Sequence, residues 1–480
     1  MTTTSPALRE QCVIVVGSGL AGLAAASQLV TNNVPVHMLE RMSKPGGNAI
    51  KASSGINGAP TRFQPEPDNL FYDDTIKSAG AAISQGDPDR LLRESLISVL
   101  TKSSADAVYW LADEKKVDLS KVCQLGGHSR PRTHRGAGTN PPGRSIIGAL
   151  LNSLETNSQF HLHTNCKVTN IIRELDEIKG VGFTREDGKT DTLVGPVVVT
   201  SGGFAGDSHG MLAKYRPDLA GFPSTNEPRE GSQPLLTAVG ARLLDMDRVQ
   251  VHPTGFVDVN SPSSPVKFLA AEALRGEGGI LLLPNGSRFV NELGTREYIT
   301  NIIRNIASPT TGTTTLQQWD LSIVLDEGSA AAVGSSIDFY TWKGLLRKEI
   351  VKNLGPGAIS SLQTYADAAS GKTKDPFGRQ HFGHWTLKDV TADSVVYVGK
   401  VTPVVHFTMG GVAINERSEV LDKETNQPIR GLWAAGEVTG GIHGDNRLGG
   451  SSLLECVIFG RIAGEGAAEF YKENYESGMK

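Results

Sequence analysis

Cysteine is scarce: the 480-residue chain has four, Cys12, Cys123, Cys166 and Cys456. They form no CxxC pair, no CxxCH haem signature and no Cys/His metal spacing, which argues against a disulfide scaffold, a covalent c-type haem and a structural zinc site. Isolated thiols in a long chain suit a reducing compartment. Charge of one sign is also lacking. Lysine plus arginine (47) against aspartate plus glutamate (51) leaves −4, with no basic block, so neither nucleic acid nor an anionic membrane is an expected partner. No run of 18 apolar residues occurs, and no transmembrane helix is expected. The opening MTTTSPALREQ has no apolar signal core, and ENYESGMK matches no retention or peroxisomal tail. A cytoplasmic location is the resulting expectation.

Glycine, by contrast, is plentiful: 55 residues, clustered in short motifs without a repeat. Such clusters suit tight backbone approach to a ligand. The run Cys12 to Val16 is β-branched and apolar, GSGLAG follows, and LAAASQLV reads as a helix. VPVHMLE then reads as a second strand ending at Glu40, which completes a βαβ unit. Gly17, Gly19 and Gly22 have the GxGxxG spacing: a tight turn, an approach to a pyrophosphate and a close helix–strand contact, with the helix N-terminus facing negative charge. Glu40, 18 residues beyond Gly22, can accept from a ribose and disfavours a 2′-phosphate.

The motif's place near the start, and a second strand-end acid at Glu437 in GLWAAGEVTGG, favour FAD over NAD. The expected dinucleotide contacts are Gly17, Gly19, Leu20, Ala21, Gly22, Glu40 and Arg41, then Gly47, Asn48, Ser53, Ser54, Gly55, Ile56 and Asn57 in KPGGN and SSGING. Val168, Thr200, Gly202, Gly203, Gly411, Glu437, Arg447, Ser452 and Leu453 complete the set. Helices are expected within 88–114 and 143–156 and from about Ser452 to Tyr471. Strands are expected in FHLHT, KVTNIIREL, IKGVGFTRED, TDTLVGPVVVTSGG, DMDRVQVHPTGFV and GGILLLPNGSRFV. The Ser/Thr/Gly-rich segment 307–316 reads as a surface loop.

The motifs GGNAIKASSGING, QVHPTGF, AAEALRGEGGILL, RFVNELGTRE, VVHFTMGG and GEVTGGIHGDNRLGGSSLLECVIFGR resemble those of the soluble fungal fumarate reductases. The similarity runs from about residue 12 to 470 and extends, more distantly, to bacterial fumarate reductases and the succinate dehydrogenase flavoprotein. It implies an α/β fold, a Rossmann-like FAD-binding domain (1–247 and 406–480) interrupted by a smaller α+β capping domain (248–405). It also implies non-covalent FAD, because GGNAIKAS has Asn48 and no histidine where succinate dehydrogenases attach the flavin.

Reducing an alkene between two carboxylates needs hydride from flavin N5 to one carbon, an acid to protonate the other, and groups that grip both carboxylates. His252 and His406 sit beside apolar runs and, taken singly, would read as core histidines. Arg447 in DNRLGG offers a planar fork for a carboxylate, with a surface pair to Asp445 as the bland alternative. Arg296 is either a proton donor recharged through a buried relay or the partner of Glu292 on a helix surface. Glu272 and Arg275, at i and i+3, share a face of one turn. The resemblance assigns substrate carboxylate binding to His252, His406 and Arg447. It assigns proton donation to Arg296 and the relay to Glu272 and Arg275.

One stretch departs from the pattern. The family's T-G-D-G segment is replaced by STNEPREGSQPLL, with Ser232 or Gln233 in place of the aspartate and Pro234 at a first helical position. This leaves open reduction or desaturation of another α,β-unsaturated acid, and a non-catalytic flavoprotein electron carrier as a further alternative. No fused haem domain and no second GxGxxG are read. The fungal resemblance therefore implies reduced free flavin as electron donor, fumarate as substrate and anaerobic redox balance as the role. A monomer is favoured.

Overall fold

The computed structural model describes residues 11–138, 140–219, 221–306, 308–309 and 316–476. The expected surface loop 307–316 lies largely outside these residues.

Val13–Val16 is buried along its whole length, the pattern of a strand covered on both faces. It pairs in parallel with Val36–Leu39 on one side and Val197–Val199 on the other. The nine-stranded sheet runs Phe160–His163, Val36–Leu39, Val13–Val16, Val197–Val199, Pro428–Ala434, Glu177–Thr184 and Lys167–Glu174, with Glu419–Leu421 and Thr190–Val194 attached at its sides. TDTLVGPVVVTSGG, expected as one strand, is two. Thr190–Val194 pairs back onto Glu177–Thr184, while Val197–Val199 enters the parallel sheet. The break falls at Gly195, whose φ of 148° turns the chain and where a Cβ would lie 1.9 Å from the Cys12 carbonyl oxygen.

The first helix, Leu20–Thr31, packs against the last, Ser451–Tyr471. Small residues permit that approach: a Cβ on Gly460 would sit 2.5 Å from the Ala21 carbonyl oxygen. The expected helix at 143–156 is Pro142–Glu155. The stretch 88–114 divides into Arg90–Lys102, Ser104–Tyr109 and a π-helical turn, Trp110–Glu114.

A second sheet has six strands: Phe268–Leu269, Val249–Phe256, Val395–Thr408, Leu321–Leu325, Ile280–Leu282 and Arg347–Ile350. All their pairings are antiparallel. The position 405/406, expected as a domain boundary, lies inside Val395–Thr408. That strand continues into the loop leading to a small sheet of Leu243–Leu244, Gly411–Ala413 and Thr439–Gly440. The two large sheets thus bring their strand ends to a shared cavity.

Candidate active site

The glycine turn is built as its spacing requires. Gly17 has φ 104°, and a Cβ there would lie 2.7 Å from the Thr200 carbonyl oxygen. A Cβ on Gly22 would lie 2.1 Å from the Gly17 carbonyl oxygen, whereas one on Gly19 would meet no protein atom within 4 Å. Gly19 therefore borders open space. Glu40 is buried and accepts from the Ser18 backbone N–H (3.0 Å), the Ser18 hydroxyl (2.6 Å) and the Met42 N–H (2.9 Å).

A cavity of about 2010 Å³ runs from this turn to the six-stranded sheet. It is lined by Gly17, Gly19, Leu20, Ala21, Glu40 and Arg41, then by Gly47, Asn48, Ser53, Ser54 and Gly55. Val168, Thr200, Gly202, Glu437, Ser452 and Leu453 also line it, and its far end reaches Arg296, His406 and Arg447. Other expected contacts lie behind the wall. Gly22 and Gly411 are pressed against backbone carbonyls, and Gly203 against the Thr408 and Glu437 side chains. Asn57 donates to the Gly449 carbonyl (2.7 Å) and accepts from the Thr133 hydroxyl (2.7 Å). It braces the last helix, as does the neighbouring buried strand residue Ile56.

At the far end, Arg296 opens the helix Arg296–Ile306 and is buried. Its Nε and Nη2 donate to Glu272 Oε2 at 2.8 and 2.5 Å, and Nη1 donates to Gln250 Oε1 at 2.7 Å. The surface pair with Glu292 is not formed. Glu292 instead takes Arg288 and Arg379. Glu272 also accepts from the Gly126 N–H at 2.9 Å, and Arg275 Nη2 stands 3.9 Å from its other oxygen. Burial raises the Glu272 pKa, but Arg296 and Arg275 outweigh it and hold the carboxyl at about 2. Arg275 donates to the Glu292 carbonyl (2.6 Å), and Arg379 donates to the Arg275 carbonyl (2.7 Å).

His252 and His406 come from neighbouring antiparallel strands, with ring centroids 5.4 Å apart. The Thr225 hydroxyl is 2.9 Å from His406 Nδ1. His252 lies behind the lining, and its buried Nε2 has no hydrogen-bond partner among the described residues. Burial first, then the facing arginines, depresses both imidazoles well below their ordinary value, so both are neutral. Arg447 stacks over Phe407, 4.3 Å from the ring centroid. Asp445 pairs with Arg248, not with Arg447. Arg447 Nε is buried without a partner among the described residues, and burial lowers its pKa to about 9.

Sequence reasoning missed Gln250, although a period of two places it near His252 on the strand. Thr225, Phe407 and Arg379 had no local signal. The replaced stretch forms the short helix Gln233–Thr237, with Pro234 at its second position, one place beyond the expected first. Gln233 lines the cavity, and its buried amide has no partner among the described residues.

A mainly parallel sheet with a glycine turn, a strand-end acid and a long cavity closed by a second sheet defines a dinucleotide-dependent oxidoreductase. The sequence matches the family described as FAD binding domain over residues 13–453. It is 44% identical to Fumarate reductase 1 of Saccharomyces cerevisiae, covering 95% of this chain and 98% of that one. It is 38% identical to Fumarate reductase of Schizosaccharomyces pombe, covering 95% and 89%. The open conformation of a flavocytochrome c3 fumarate reductase superposes with a TM-score of 0.72 at 27% identity, covering 97% of this chain and 79% of that one. The chain belongs to the FAD-binding flavoprotein family of the fumarate reductases. It is an FAD-dependent oxidoreductase, and the cavity fits that cofactor, with open space at Gly19 and, among the described residues, an unpartnered Gln233 amide on its wall. Among the described residues, no helix is long and apolar enough to cross a membrane.

Proposed function

We propose that this protein reduces fumarate to succinate, with non-covalently held FAD in the cytoplasm. FAD, when bound, supplies hydride to one alkene carbon. The chain's own residues do the rest. Arg296 protonates the second carbon and is recharged through Glu272 and Arg275. Arg447, His252 and His406 hold the carboxylates. The neutral imidazoles donate hydrogen bonds, and Arg447 adds the charge.

The observation that carries this reading is the Arg296–Glu272 pair at the end of a cavity shared with His406 and Arg447. Arg275 and Arg296 stand beside Glu272, and Arg447 faces the same end of the cavity as Arg296. Guanidinium groups placed there suit a dianion. An arginine is a weak acid, with a pKa above about 12 in water. Here Glu272 sits on the same guanidinium that faces the cavity, so a lost proton has a short route of return.

The test is anaerobic. The flavin is reduced chemically and mixed with fumarate in stopped flow. Rapid reoxidation with one succinate formed per flavin supports the reading, and a flavin that stays reduced refutes it. A second reading, another α,β-unsaturated acid, draws on the Gln233 amide facing the cavity. Reoxidation by other enoates but not fumarate would favour it.

A further inference from the structure

Three aromatic rings stand exposed beside the cavity mouth: Phe268 (42% exposed), Phe339 (43%) and Trp342 (77%). Their centroids are spaced 6.3 Å between Phe268 and Phe339 and 6.2 Å between Phe339 and Trp342. A soluble chain gains nothing in folding from an open indole on a short helix, so this cluster asks for an occupant. Lys343 places its ammonium 5.1 Å from the Phe268 ring and 5.6 Å from that of Trp342. The patch is continuous with the cofactor cavity, because Phe268, Phe339 and Tyr340 line its wall. Tyr340 carries the row inward, 5.6 Å from Phe339 and 4.7 Å from Phe256.

We propose that this patch is the docking site of the external electron donor, a reduced flavin mononucleotide. The inference rests on the fumarate-reductase reading for its need of a donor. The ring system of such a donor is flat and apolar on both faces and stacks on Trp342 and Phe339. Its phosphate pairs with Lys343. The exchange balances: the donor loses two electrons and two protons and leaves as oxidised flavin mononucleotide, and bound FAD gains them. Docking at the mouth places the donor beside the cavity without displacing substrate from the Arg296 end.

Trp342 and Lys343 lie outside the cavity lining, so their variants test docking alone. The FAD-loaded enzyme is assayed anaerobically with reduced flavin mononucleotide, reduced riboflavin or reduced methyl viologen as donor. Trp342→Ala is expected to raise KM for both flavins about fivefold, the loss of one stacked ring. Lys343→Glu is expected to raise it about fivefold for the mononucleotide and less for riboflavin, which has no phosphate. Turnover with viologen should not change. Unchanged flavin KM in both variants, or an equal loss with viologen, would overturn the proposal. Calorimetric titration of the holoenzyme with oxidised flavin mononucleotide measures docking without any alkene, so this proposal and the fumarate reading fail separately. Weaker binding in both variants supports the site, and wild-type binding in both refutes it.

Discussion

Arg296 grips a single oxygen of Glu272 with two of its nitrogens, at 2.8 and 2.5 Å, and both side chains are buried. The third nitrogen of the fork is spent on Gln250. The guanidinium is therefore fixed in plane and cannot swing toward solvent. A group held this way faces the cavity at one angle, which is what a positioned proton donor requires.

Replacing Arg296 should expose that dependence. Arg296→Lys keeps the charge but loses the two-nitrogen grip, and Arg296→Ala loses both. Each is expected to slow reoxidation by fumarate by roughly 10²–10⁴-fold or more. Stopped-flow reoxidation, with the bound-flavin spectrum as a check on folding, measures it.

Glu272→Gln should cost stability as well as rate, because it leaves Arg296 and Arg275 buried beside a neutral amide. Breaking such a pair typically costs about 3–5 kcal/mol. The carboxyl is depressed from 4.5 to about 2. Its contribution is thus present above the unfolded value and is lost as pH falls from about 4.5 toward 2. Denaturant titrations across that window should show a steeper acid loss in the wild type than in Glu272→Gln.

Arg447 should limit the alkaline side. With its pKa lowered to about 9, the free enzyme loses this carboxylate-binding charge as pH rises through 9. The expected result is a fall in kcat/KM for fumarate above that pH, since kcat/KM reports the free enzyme. The two histidines are already neutral, so no histidine limb is expected near pH 6.5. A kcat/KM profile from pH 6 to 10 tests both statements.

Glu437 is half-buried at the cavity wall, and desolvation there raises its pKa to about 7. A raised carboxyl binds its proton more tightly in the fold, so it destabilises the protein as pH climbs from 4.5 through 7. In FAD-free protein, Glu437→Gln should raise Tm at pH 8 and change it little at pH 5.

Two glycines of the first turn should behave differently. Gly22→Ala forces a Cβ to within 2.1 Å of the Gly17 carbonyl, so apoprotein stability should fall. Gly19→Ala meets no protein atom within 4 Å. It should leave the apo Tm unchanged while weakening FAD binding, because the methyl enters the space of the pyrophosphate. Thermal melts and FAD titrations of both variants separate the cases.

The amino-acid sequence by itself determined the local pieces. A β-branched run, three glycines at fixed spacing and an acid at the next strand end specify the βαβ turn, because sterics and hydrogen bonding within some thirty residues decide it. The i, i+3 spacing of Glu272 and Arg275 likewise puts both on one turn. Partners were another matter. Only the tertiary structure decided that Arg296 takes Glu272 and not Glu292, that Asp445 goes to Arg248, and that Phe407 lies under Arg447. It also brought Arg379 onto the carbonyl of Arg275, far away along the chain. Each of these contacts joins strands, helices or loops that meet only in the folded chain. Their choice of partner depends on burial and geometry, which no short window of sequence contains.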